Sequence, residues 1–113
     1  MKGKITTMLY HQMLKIKYQW IIFWVRKGHT VWHKEKGDSM LPLIASDQWV
    51  LFAYVDPKEV QVGDIVLAKV HKKWYCHLVT KAYSKNVQIS DNHGHANGWT
   101  KRKNVFAKVI KIG

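Results

Sequence analysis

Gly37-Asp38-Ser39-Met40-Leu41-Pro42 stands between two β-type stretches, Thr30 to His33 and Gln48 to Tyr54 (QWVLFAY). Both flanks are rich in β-branched and aromatic residues and read as strands. Between them the glycine allows close approach of another chain and the proline fixes φ, so Ser39 sits exposed in a restricted turn. A serine in such a turn is a turn residue as readily as a nucleophile. The decision rests on what surrounds it.

Downstream the β texture continues. Asp56-Pro57 opens a turn, and Val62-Gly63-Asp64 makes another before an apolar strand, Ile65 to Val70. Trp74 to Lys81 (WYCHLVTK) follows, with His71-Lys72-Lys73 as the hairpin tip. Asn86 to Ser90 and Asn104 to Ile112 close the series, with a polar loop from Asp91 to Trp99 expected between them. Upstream, Ile5, Met8, Leu9, Met13 and Ile16 recur at helical spacing. That helix can run on through Trp20 and Phe23 to about Val25, and Gly28 is a fitting stop. Its stripe either packs on the domain core or, with Trp20, Phe23 and Trp24 and no acid before Glu35, lies at a membrane interface. The fold class expected is mainly β: an N-terminal amphipathic helical segment, residues 1–27, and a compact antiparallel β-domain, residues 28–113. Closing the strands on themselves would remove exposed edges.

Composition bounds the function. The chain has 113 residues, 47% of them hydrophobic, enough for one domain and with no room for a second independent core. The lone Cys76 excludes a disulfide scaffold and a cysteine-only zinc site. No apolar run approaches the roughly 18 residues of a membrane span, and lysines at 2, 4, 15 and 17 interrupt any signal-peptide core. The expectation is a cytoplasmic chain, with peripheral contact to an anionic inner membrane face through residues 1–27 as a further option.

The net charge is +12, unevenly placed: residues 1–36 carry eight basic side chains against one acid, residues 69–113 ten against one, and the middle block is acidic. Such a balance invites a nucleic-acid reading. Neither a helix-turn-helix pair, a zinc-finger spacing nor an aromatic RNA-binding motif occurs, so nucleic acid is not the expected partner.

A serine nucleophile needs a base. Of seven histidines, His77 lies mid-strand between Cys76 and Leu78, where backbone geometry would fix its ring. An ordinary half-buried histidine fits that position equally well. Asp91, the only acid after Asp64, opens the polar loop and could orient an imidazole or pair with a lysine. His77, His93, His95 and Cys76 lack any recognised metal-ligand spacing, so no metal or cofactor is expected. Cys76 and His77 are strand neighbours pointing to opposite faces, which rules out a cysteine–histidine pair.

Taken in order, Gly-Asp-Ser-Met-Leu-Pro-Leu (37–43), Ser46-Asp47-Gln48-Trp49-Val50-Leu51, Val62-Gly63-Asp64-Ile65-Val66-Leu67, Cys76-His77-Leu78-Val79, Ser90-Asp91-Asn92 and Val105-Phe106-Ala107-Lys108-Val109-Ile110 resemble the signal peptidase I and LexA-like superfamily of serine endopeptidases. The match covers about residues 28–113. The resemblance implies a β-domain of the LexA and signal-peptidase type, with Ser39 at the nucleophile and His77 where the histidine branch carries its base. Asp91 would fall at or near the third position. Met40 and Pro42 would shape the substrate cleft, and the Ser39 amide, with a group from Gly37 or Asp38, would form the oxyanion hole. Ser46, Ser90 and Ala107 replace family glycines, Leu78 replaces an arginine, and no further acid follows in His93-Gly94-His95-Ala96-Asn97.

The function expected on this basis is cleavage of a leader, signal or propeptide from a peptide or protein substrate by a Ser39–His77 dyad, with Asp91 as the candidate third member. An inactive relative that binds a peptide or partner is the alternative. A LexA-type DNA-linked regulator is the third, opposed by the absence of an upstream Ala-Gly or Cys-Gly self-cleavage dipeptide. Oligomeric state is open.

Overall fold

Tyr18, Ile21, Ile22 and Val25 recur at i, i+3, i+4 and i+7, and this spacing decides how the N-terminal helix lies. The computed structural model describes residues 2–113, the side chains of residues 2–8, 10 and 11 excepted. Helix α1 runs from Lys2 to Arg26 and buries those four side chains in the core. It ends in a Schellman turn: His29 N donates to Trp24 O at 3.1 Å and Gly28 N to Val25 O at 3.0 Å, with Gly28 at φ 91°. The apolar stripe expected to face either core or membrane is the outer one, since Leu9, Met13 and Ile16 are exposed. The helix is apolar on two faces, and periodicity alone does not say which of them is inside. Ile5 and Met8 lie outside the described side chains.

Seven strands follow: β1 (Val31–Lys34), β2 (Trp49–Ala53), β3 (Ile65–Val70), β4 (Lys73–Ala82), β5 (Asn86–Ser90), β6 (Ala96–Lys101) and β7 (Val105–Ile112). They form one sheet in the order β1-β2-β7-β3-β4-β5-β6, every pair antiparallel. The segment read as a polar loop to Trp99 is strand from Ala96 onward. Its ANGWTK has no apolar alternation, and Gly98, at φ 137°, lies against the β3–β4 hairpin, where a Cβ would meet the His71 ring at 3.0 Å. Thr100 Oγ1 donates to Lys69 O at 2.8 Å, so β6 bends back over β3 although three strand boundaries separate them in the sheet.

The curl puts a core on each face. On β3, Val66, Ala68 and Val70 point into one cluster with Val79, Val87, Ile89 and Val105, while Leu67 points into the other with Phe52 and the inner face of α1. Helix and strands therefore share a core, and the boundary at residues 27/28 marks the end of α1 rather than a gap between bodies. Two polar fasteners close the far side. Buried Asp64 pairs with Lys108 Nζ at 3.1 Å and accepts from Gln61 N at 2.9 Å. Arg102 donates to Tyr83 O, Pro57 O and Val60 O at 2.7, 2.9 and 2.7 Å.

Candidate active site

The Ser39 turn is short, polar and without a ladder of its own, so its backbone groups must find partners elsewhere. Met40 and Ile44 anchor it by burying their side chains under α1, and Ile44 N donates to Met40 O at 3.0 Å. Gly37 takes φ 100°, a region that favours glycine, and its N–H goes to Ser46 Oγ at 3.2 Å. The rest of the turn is held from the loop after β5. Asn92 N donates to Ser39 O at 2.8 Å, Asn92 Nδ2 to Leu41 O at 2.8 Å, and His93 Nε2 to Asp38 O at 3.0 Å.

Asp91 organises that loop. Its Oδ1 accepts from His93 N at 2.8 Å and His95 N at 2.9 Å, and its Oδ2 meets His95 Nδ1 at 3.0 Å. The His95 amide, then the His93 amide and the His95 ring, hold the carboxyl down at about 2. Both oxygens are committed within residues 91–95, so Asp91 is placed to shape the loop that clamps Ser39 and is not hydrogen-bonded to His77.

Strand β4 supplies His77. Trp74, Cys76 and Leu78 pack toward α1, while Tyr75 and His77 stand on the other face with ring centroids 5.1 Å apart. Ser39 Oγ lies 2.9 Å from His77 Nε2, across 38 residues of chain. The other ring nitrogen, Nδ1, lies 2.6 Å from Asn97 Oδ1 on β6. An amide oxygen only accepts, so Nδ1 carries the proton and Nε2 presents its lone pair to the Ser39 hydroxyl. That is the tautomer a general base requires. Asn97 carries no signal of this contact in the sequence, because an asparagine in a Gly-containing polar stretch reads as a turn residue.

A cleft of about 280 Å³ opens beside the pair. Gly37, Ser39, Met40 and His77 line it, as do Met13 and Lys17 of α1; Asp38 and Pro42 stand outside it. Of Met40 and Pro42, both expected to shape the cleft, Met40 lines it with its side chain turned inward and Pro42 does not. The Gly37 amide is taken by Ser46, whereas the N–H groups of Asp38, Ser39 and Met40 have no protein acceptor among the described residues. At the base of the cleft Glu35 receives Tyr18 Oη at 3.1 Å and pairs with His33 Nδ1 at 3.1 Å. Burial, reinforced by Glu35, pushes the Cys76 thiol well up; Cys76 belongs to the core and also lines the cleft.

The chain belongs to the Peptidase S24-like family, whose model matches residues 3–110 and so takes in α1 and the sheet except for the first residue of α1 and the last two of β7. The family lies within the LexA and signal-peptidase superfamily that the ordered boxes resemble. Comparison with individual curated proteins finds no match.

Proposed function

We propose that this member of the family is a serine endopeptidase with Ser39 as nucleophile and His77 as general base. The observation that carries the reading is the continuous line Ser39 Oγ to His77 Nε2 at 2.9 Å and His77 Nδ1 to Asn97 Oδ1 at 2.6 Å. In the reaction, Ser39 Oγ attacks the scissile carbonyl carbon as its proton passes to Nε2. The C–N bond then breaks, the Nε2 proton leaves with the amine, and an acyl ester remains on Ser39. Water attacks that ester, losing its proton to His77; the acyl C–O bond to Ser39 then breaks, the proton passes from Nε2 back to Ser39 Oγ, and the new C-terminal acid leaves. The Ser39 and Asp38 amides are the donors proposed for the developing oxyanion. Asn97 acts as a positioning residue that fixes the imidazole in the productive tautomer.

The substrate proposed is a leader, signal or propeptide lying extended beside β1. That strand is the sheet's edge, and Lys34 with the adjoining Glu35 borders the cleft. A peptide library with small residues at P1, incubated with wild type, Ser39→Ala and His77→Ala, tests the reading. Cleavage by wild type that both substitutions abolish is the expected result. Cleavage surviving Ser39→Ala removes the serine mechanism. Peptide binding without cleavage by wild type transfers the site to the binding-module alternative.

A further inference from the structure

The outer face of α1 carries Leu9, Met13, Ile16, Trp20, Phe23 and Trp24, each between 39 and 59% exposed. At helical spacing they fall within about 100° of arc, opposite the face formed by Tyr18, Ile21, Ile22 and Val25. The rings form a contiguous group: Trp20 stacks with Trp24 at 6.4 Å, Phe23 meets Trp24 edge-on at 5.2 Å, and Lys27 Nζ lies 5.0 Å over the Phe23 ring. A continuous apolar ridge is uncommon on a monomer's surface and marks something that covers it.

We infer that this ridge docks the protein on an anionic lipid surface. Charge selects the occupant. Residues 1–34 contain no acid, and the basic side chains Lys17, Arg26 and Lys27 border the ridge or its C-terminal end and are exposed. A second copy of the same helix would bring like charges together with no acid on either to answer them, whereas anionic headgroups answer all of them. Aromatic rings beside lysines suit the headgroup boundary, where the rings bury and the ammonium groups stay wet. No helix among the described residues is long and apolar enough to cross a membrane, so α1 lies along the surface. Met13 belongs to the ridge and also lines the cleft, as does Lys17, so a docked chain holds the cleft at the lipid boundary. The inference is independent of whether Ser39 cleaves anything.

The test is sedimentation of the full chain with vesicles of phosphatidylcholine alone and of phosphatidylcholine mixed equally with phosphatidylglycerol. The expected result is partition onto the mixed vesicles only, weakened by added salt. Trp20→Ser with Phe23→Ser, and separately Leu9→Ser with Ile16→Ser, lower that partition by roughly tenfold or more while leaving the melting temperature in place, because these side chains are exposed. Two independent pairs guard against a folding defect in either one. Absence of binding to the mixed vesicles, equal binding to both kinds, or binding undiminished in both double variants overturns the inference. So does a dimer in sedimentation that Trp20→Ser and Phe23→Ser dissociate, which would give the ridge to a second copy.

Discussion

Asn97 Oδ1 accepts from His77 Nδ1 at 2.6 Å although β4 and β6 are not neighbours in the sheet; β5 lies between them. Only the curl of the sheet, fastened by the Thr100–Lys69 bond, lets side chains from the two strands meet. Asn97→Ala should therefore free the imidazole to take the wrong tautomer and lower kcat by roughly 10- to 100-fold, with KM little changed. Asn97→Asp should preserve the orientation and recover most of the rate. Steady-state kinetics on the best peptide of the library, with melting curves alongside, separates orientation from unfolding.

The loop that clamps the Ser39 turn should be acid-sensitive. Asp91 has its carboxyl lowered to about 2 by the His95 and His93 amides, against about 4 when unfolded. A depressed carboxyl stabilises the fold above its unfolded value, and that contribution is lost as pH falls through the folded one. Stability should thus decline between about pH 4 and pH 2, and Asp91→Asn should flatten that part of the profile. Urea midpoints across this range in wild type and Asp91→Asn check it.

Lys108→Met should destabilise more than Asp64→Asn. Removing the lysine leaves the Asp64 carboxylate, whose side chain is 8% exposed, without its counter-charge. Asparagine keeps the shape and can still accept from Gln61 N. Because Lys108 itself is 36% exposed, the first loss is set at about 1–3 kcal/mol and the second at about 1. Denaturant titrations of both variants give the order.

Cys76 should be silent toward thiol reagents in the folded protein. Burial and the neighbouring Glu35 keep the thiol protonated, and no nucleophilic thiolate is offered to solvent. Labelling that keeps pace with global unfolding in urea is the expected outcome. Rapid labelling in buffer would contradict the burial.

How much of this was legible in the residues differs by element. Ile65 to Val70 and Asn86 to Ser90 are strands over the bounds read from sequence, because apolar runs between turn residues leave little choice. The pairing of Ser39 with His77 was legible only through the ordered boxes, since spacing says nothing about two residues 38 positions apart. β6 was not legible, because in ANGWTK the strand is imposed by pairing with β5 and by the space Gly98 leaves for His71. Asn97 disappeared with it. The outward face of α1 was legible as a stripe and not as a side, because a helix buried along one face and apolar along the other gives two answers to one periodicity.

Ser39, His77 and Asn97 enter from a turn, a mid-chain strand and a late strand, and no two of them are sequence neighbours. Synthesis must therefore pass residue 97 before the three can meet. A growing chain, or one clipped before residue 97, holds a serine with an undirected imidazole. On the proposed function, the closing of β6 onto the sheet is the folding step that would direct the base toward the serine.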